Sequence, residues 1–247
     1  MFFRQILHPE KSCLSYLIGC TATNECAVVD PQGDPKFYVE TAANHGLKIA
    51  AVIETHLQAD HYSSAGALAA LTGATRYLGP SKEARFPYSP MTGGRLFHVG
   101  DRRFKVFHTP GHTPEHVSLL VNDWFLLTGD TLFVGDVGRV DLPVEAPEAE
   151  DTNAAIRRGA TELYESLQRL LALPEWTEIF PAHYGGSVCG RGLDGKPSST
   201  IGRERLKNPA LKLSREEFIR FQLENPPVLP AEFDAIRRHN VSAASPV

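Results

Sequence analysis

No stretch of this 247-residue chain stays apolar for the roughly eighteen positions a membrane helix needs, so a helical membrane protein is not expected. Excess positive charge is missing too. Lys and Arg number 25 against 29 Asp and Glu, and a formal net charge of -4 argues against a surface built for nucleic acid or acidic membranes. Cysteine is scarce. The spacing of Cys13, Cys20, Cys26 and Cys189 matches neither a zinc-binding pattern nor a small disulfide scaffold, so free thiols in a reducing cytoplasm are expected. The opening "MFFRQILHPEKS" has no basic leader and no long apolar core, so no signal peptide and a cytoplasmic location are expected. Internal repeats and low-complexity segments are absent as well. What is present is an ordinary globular composition, long enough to bury a sizeable core, and ten histidines whose placement is not ordinary.

The apolar pattern predicts strands over 15–20 ("SYLIGC") and 26–30 ("CAVVD"), the second closed by the turn "PQGDP". A helix is expected over 36–45, a buried strand over 48–55 and a second helix over 65–73. Strand-like runs follow at 103–112, 116–122, 124–130 and 178–183. Between the last two, 153–173 shows helical spacing of Ile156, Ala160, Leu163, Leu167, Leu170 and Leu171, with Asp151 and Thr152 as candidate caps. From Tyr184 onward the chain reads as a Gly-rich, basic loop and then short helices, ending in a tail of disordered composition, "VSAASPV". Strands that first alternate with helices and then cluster imply a layered α/β protein with a mixed sheet, and one domain rather than two.

Six potential metal ligands lie at or just after the ends of these strand-like runs: His56, Asp60, His61, His112, Asp130 and His183. Strand ends on one sheet edge converge in space, so residues far apart in sequence can share a site. Singly, each has a plainer explanation. A strand-end histidine is usually hydrogen-bonded, Asp130 after "LTG" could form a turn, and Asp60 could cap a helix. Their joint order, "THLQADH", "TPGHTPEH", "LTGDTLF" and "FPAHYGG", is what favours a metal site. His8, His45, His98, His108 and His239 fit the plain explanation, and His116 stays open.

With those motifs the sequence resembles the metallo-β-lactamase superfamily. Its signature T-H-x-H-x-D-H is followed by a later Gly-His, an Asp after Thr-Gly and a final His after a strand. The resemblance spans about residues 12–210 and implies an α/β, metallo-β-lactamase-like αββα sandwich with two mixed β-sheets. A single domain over 1–247 is expected, with its core at about 1–210, a C-terminal helical extension at 211–240 and a tail at 241–247. Within the superfamily, "SCLSYLIG", "PGHTPEHVSLLV", "TGDTLFVGDVGRVDL" and "KPSSTIGRERLKNPAL" are most similar to persulfide dioxygenases, including the branch associated with rhodanese domains. That resemblance implies one Fe(II) per chain on His56, His112 and Asp130, and oxidation of glutathione persulfide or a similar small persulfide by O2 to sulfite and thiol. It makes Asp60, His61 and His183 groups that orient ligands and relay protons. Arg139 matches a family arginine near the substrate, and a role in positioning substrate or holding its loop is expected, against the plainer reading of a surface arginine pairing with Asp136 or Asp141. Tyr184 and Arg191 are also expected near the substrate. Arg191, Lys196, Arg203 and Arg205 could meet glutathione carboxylates or coenzyme A phosphates, or form a solvated run.

Gln58 departs from the signature, because the second His of H-x-H is missing. A binuclear zinc hydrolase needs that imidazole, and an amide oxygen is a weak substitute. A mononuclear set of two histidines and one carboxylate does without it, leaving Gln58 to hydrogen-bond a metal-bound water. The alternative expectation is a zinc-dependent thioester or lactone hydrolase of the glyoxalase II type. A third is a non-catalytic partner of a separately encoded rhodanese. The residues leave open zinc in place of iron, and a monomer or a homodimer.

Overall fold

Apolar alternation sorts the two halves of the chain into two six-stranded sheets. The first carries β1 (Phe2–His8), β2 (Cys13–Cys20), β3 (Glu25–Val29), β4 (Lys48–Ile53), β5 (Thr75–Leu78) and β6 (Ser89–Pro90), in that spatial order. The second carries β7 (Leu96–Val99), β8 (Arg102–His108), β9 (Val117–Val121), β10 (Phe125–Gly129), β11 (Glu178–Pro181) and β12 (Ser199–Thr200), again in chain order. Both sheets are mixed. β1, β2 and β3 pair antiparallel and β3 to β6 pair parallel, whereas in the second sheet the β10–β11 pair is parallel and the other pairs antiparallel. This computed structural model describes residues 1–142, 152–224, 228–229 and 232–242.

The sheets lie face to face. Leu14, Tyr16, Ile18, Ala27 and Val29 meet Phe104, Val106, Leu119 and Leu127 in one core. Each sheet's outer face is covered by helices. Tyr38 and Ala42 of α1 (Pro35–Ala43) and Leu68 of α2 (Ala65–Thr72) cover Leu17, Val28 and Val52. On the other side, Ala160, Leu163, Leu167 and Leu170 of α3 (Thr152–Leu171) cover Leu120, Leu126 and Ile179. Ile201 of α4 (Ile201–Lys207) and Phe218 of α5 (Arg215–Leu223) extend that core. The result is an αββα sandwich, in which each fully buried Leu contributes on the order of 1.5–3 kcal/mol by leaving water. β2 is buried along its whole length because it has a core on each face. A last helix, α6 (Phe233–Val241), lies over the loop that follows β4. Among the described residues no helix is long and apolar enough to cross a membrane.

A bulge in β4 sets the phase of that loop. Cys26 opposes Ile49 and Ala27 opposes Ala51, so Ala50 is extra. Ile49 faces the outer core, Ala50 and Ala51 the inner one, and Ile53 again points inward just before the metal motif.

The expected strands and helices exist, with shifted ends. The four strands leading to the motifs stop early, at Ile53, His108, Gly129 and Pro181, so that every candidate ligand sits on a loop. β1, β5, β6, β7 and β12 were not foreseen. β6 and β12 are only two residues long, β5 and β7 four, and β1 is an edge strand with polar Arg4 and Gln5. Of the expected caps of α3, Asp151 and the side chain of Thr152 lie outside the described residues, as do 243–247 of the tail.

Candidate metal centre

Loops from both sheets deliver the site. The β4–α2 loop brings His56, Gln58, Asp60 and His61. The second sheet brings His112 between β8 and β9, Asp130 after β10 and His183 after β11. All seven are buried. Gly111 allows one of these turns: its φ is 136°, and a Cβ there would lie 2.5 Å from the backbone of Leu163 as α3 crosses.

His56, His112 and Asp130 form one group. Asp130 Oδ2 lies 3.8 Å from His56 Nε2 and 3.3 Å from His112 Nε2, and the two rings stand edge-on with centroids 5.0 Å apart. The other nitrogen of each ring is already committed. His112 Nδ1 donates to the carbonyl of Arg139 at 2.8 Å. Thr55 gives its hydroxyl proton to Asp30 Oδ2 at 2.9 Å, so its oxygen accepts from His56 Nδ1, also at 2.9 Å. Both Nε2 lone pairs therefore face Asp130. Asp130 Oδ2 is itself buried with no hydrogen-bond partner. An orphaned carboxylate oxygen in the interior costs several kcal/mol, on the order of 1–3 or more, and a cation held by the three donors would offset it. The group fits a metal of the class that two imidazoles and one carboxylate hold.

His183 organises a second group. Its Nδ1 lies 2.7 Å from Asp130 Oδ1 and its Nε2 lies 2.9 Å from Asp60 Oδ2. Asp60 Oδ1 in turn pairs with His61 Nδ1 at 3.0 Å. Cys13 Sγ sits 3.4 Å from Asp60 Oδ2 and 3.6 Å from His61 Nδ1, and Cys189 Sγ lies 4.0 Å from His183 Nε2. Ligand atoms of Cys13, Asp60, His61 and His183 all fall within 4.8 Å of one another, which is also compact enough for a cation.

Charge separates the two groups. Burial drives His56 and His112 below the usual imidazole range, leaving them neutral. Burial also opposes protonation of His183 and His61, but the carboxylates outweigh it. His183, between Asp130 and Asp60, lies well above its usual value, and His61 beside Asp60 is pushed up to about 10. Against the same desolvation, Asp60 is held well below the carboxylate range by His183 and His61, and Asp130 by His183 and then His56 and His112.

Gln58 is buried, and neither its amide oxygen nor its nitrogen has a hydrogen-bond partner. Arg139 is almost wholly buried. Its guanidinium grips Asp141 through two bonds of 2.7 Å, so the expected partner is there but the arginine is not on the surface, and it also lines a cleft of about 10 Å³ beside Asp60, Leu142, Cys189 and Phe233. Arg191 is drawn toward α5, bonding Gln222 and standing 4.6 Å over the ring of Phe221. The ring of Tyr184 packs against the inter-sheet core. The basic run is matched to acids: Lys196 and Arg203 to Asp194, Arg203 also to Glu204, and Arg205 to Glu175.

His116, left open by the sequence, supports the ligands. Its Nε2 accepts the N–H of Asp130 at 2.8 Å while Nδ1 meets Thr109, and its ring stacks on His56. Cys13, Asp30 and Glu115 were missed. Asp30 holds Thr55 through N–H and hydroxyl, and Glu115 accepts the N–H of Leu57. Asp30 ends a predicted strand as the candidate ligands do, and that signal could have found it.

The sandwich and its loop-borne histidines and carboxylates define a class of metal-binding αββα proteins. The chain belongs to the metallo-β-lactamase superfamily, whose family model matches residues 8–183. It is 31% identical to a hydroxyacylglutathione hydrolase of Chromohalobacter salexigens, over 81% of this chain and 82% of that protein. To the mitochondrial persulfide dioxygenase ETHE1 of Bos taurus it is 29% identical, over 89% and 80%. The crystal structure of ETHE1 from Myxococcus xanthus superposes with a TM-score of 0.77 at 32% identity, covering 96% of this chain and 98% of that one. The chain spans about half (55%) of another relative, the Beta-lactamase hydrolase-like protein of Agrobacterium fabrum, at 28% identity over 90% of its own length. Dioxygenase and hydrolase relatives are thus equally near.

Proposed function

We propose that this protein is a persulfide dioxygenase that holds one Fe(II) on His56, His112 and Asp130. One persulfide, one O2 and one water give one thiol and one sulfite. The observation that carries this reading is the three-donor group next to Gln58, where a binuclear hydrolase would need a further imidazole. Iron held by these three residues would supply the redox chemistry that lets O2 react with the persulfide sulfur. His183, bonded to Asp130 on one side and Asp60 on the other, can hold a proton beside the metal and keep Asp130 Oδ1 occupied so that Oδ2 serves as the ligand. His61 and Asp60 continue that chain toward the cleft that Arg139 lines. Glutathione persulfide is the substrate class favoured by the glutathione-linked relative, and a separate rhodanese is a suitable source of the persulfide.

A second reading has an observation of its own. The group of Cys13, Asp60, His61 and His183 could hold a second cation, as a zinc-dependent glyoxalase II-like thioester or lactone hydrolase would require. One experiment separates the two. Anaerobically purified protein is analysed for metals, loaded with iron, and given glutathione persulfide in an oxygen electrode, then S-lactoylglutathione without O2. About one iron per chain and O2 uptake that disappears in His112→Ala are expected. Two zinc ions per chain with anaerobic thioester cleavage would replace the dioxygenase reading with the hydrolase.

A further inference from the structure

The loop from 54 to 64 must present four side chains inward, and so turns part of its backbone outward. Three of its N–H groups are held from within the sandwich: Thr55 by Asp30, Leu57 by Glu115 and Ser64 by the carbonyl of Pro31. The carbonyl of Thr55 accepts the N–H of Val117 in the second sheet, but those of Leu57, Gln58 and His61 are held from α6. Arg237 donates to the carbonyl of Leu57 at 3.0 Å, and Asn240 donates to those of Gln58 and His61, both at 2.9 Å. The Asn240 side-chain oxygen also accepts the N–H of Ser63 at 3.0 Å. Both residues are on α6, at the far end of the chain. Phe233, Ile236, Arg237 and Asn240 are buried at positions i, i+3, i+4 and i+7, one face of a helix. Phe233 packs with Ala59 and Leu142, and Glu83 pairs with Arg237 at 2.6 Å to balance its charge. The N–H of Arg85 bonds the carbonyl of Val241 and pins the end of the helix.

We propose that α6 is a clamp on the metal loop, and that Asn240 and Arg237 are positioning residues that set how Gln58, Asp60 and His61 face the metal. A buried carbonyl needs a partner. Removing the Asn240 amide leaves the flanks of the Asp60–His61 pair to find new ones, which rotates the peptides that aim those side chains. His61 and Asp60 reach the ligand Asp130 through His183, and since partners that orient ligands typically change metal affinity about 10–100-fold, the lower end, about tenfold, is expected here.

The proposal rests on the loop serving a cation, and not on which reaction follows. It is tested on the full chain by titrating Fe(II), and Co(II) as a spectroscopic substitute, against a competing chelator. Asn240→Ala, Asn240→Asp and Arg237→Lys are compared with wild type and with Arg238→Ala, which lies on the exposed face of α6. Asn240→Asp keeps the acceptor for Ser63 and loses both donors, so it tests the carbonyl bonds even if the alanine variant does not fold. The expected result is about tenfold weaker metal binding for the Asn240 variants and a changed Co(II) ligand-field spectrum, with Arg237→Lys milder and Arg238→Ala unchanged. Wild-type affinity and spectrum in the Asn240 variants would overturn the clamp, even if they melt earlier. So would an equal loss in Arg238→Ala. A wild-type protein that binds the metal but consumes no O2 with persulfide would instead overturn the functional reading and leave the clamp standing.

Discussion

A neutral imidazole can offer its Nε2 lone pair only when Nδ1 carries the proton, and in His56 that choice is made by Thr55 and Asp30. The Asp30 carboxylate accepts the Thr55 hydroxyl, which turns the threonine oxygen into an acceptor for His56. Asp30→Asn keeps the size of the side chain but can place an amide N–H where Oδ2 was. The hydroxyl then reverses, donates to Nδ1, and moves the ring proton to the nitrogen that faces Asp130. Iron affinity should fall about 10–100-fold with the fold retained, as chelator competition and circular dichroism would read. Unchanged affinity would mean that the tautomer is set elsewhere. Gln58 calls for the opposite expectation. If His56, His112 and Asp130 suffice, Gln58→Ala should still hold about one iron per chain, and a loss of iron would make the amide a ligand.

The segment after β10 shows the same dependence at the level of an element. The carbonyl of Arg139 orients His112, and it reaches there because Gly138 lies against the chain at Asp130. A Cβ on Gly138 would stand 1.9 Å from the carbonyl oxygen of Asp130 and 3.4 Å from His112 Nδ1. Gly138→Ala should therefore push the loop outward, break the bond from His112 and abolish iron binding, with a lowered melting temperature. Full iron occupancy in that variant would show that the loop has more room than its contacts suggest. "GDVGRVDL" was legible as a telling segment, but the sequence pointed to the arginine side chain, and the structure shows its backbone carbonyl touching the ligand. The same limit runs through the fold. Apolar runs such as β2, β4 and β9 and the helical spacing of α3 announce themselves, as do the six candidate ligands at the strand ends. Two-residue strands, the Ala50 bulge and the role of His116 depend on neighbours distant in sequence, and no local pattern encodes them. The C-terminal helix was expected as an extension, while its hold on the metal loop rests on Arg237 and Asn240, two residues unremarkable in isolation.

Across the whole molecule the candidate metal joins two sheets that also meet through an apolar core and a few hydrogen bonds such as Asp60–His183 and Leu57–Glu115. His56 hangs from the first sheet, and His112 and Asp130 from the second. The donors cannot be so arranged in the unfolded chain, so binding free energy is added to folding free energy. At a free metal concentration about a thousand times Kd the gain is about 4 kcal/mol. For a chain of this size each kcal/mol is worth about 2–4 °C in Tm, which places the iron-loaded protein about 8–16 °C above the chelator-treated one. The shift should vanish in His112→Ala, which removes one arm of the bridge, and should persist in Arg205→Ala, whose pairing with Glu175 lies on the far rim. Calorimetry on anaerobic samples would measure it. Equal melting temperatures with one iron bound per chain would mean that the metal sits where it does not tie the sheets together, and that His56, His112 and Asp130 are not its holders.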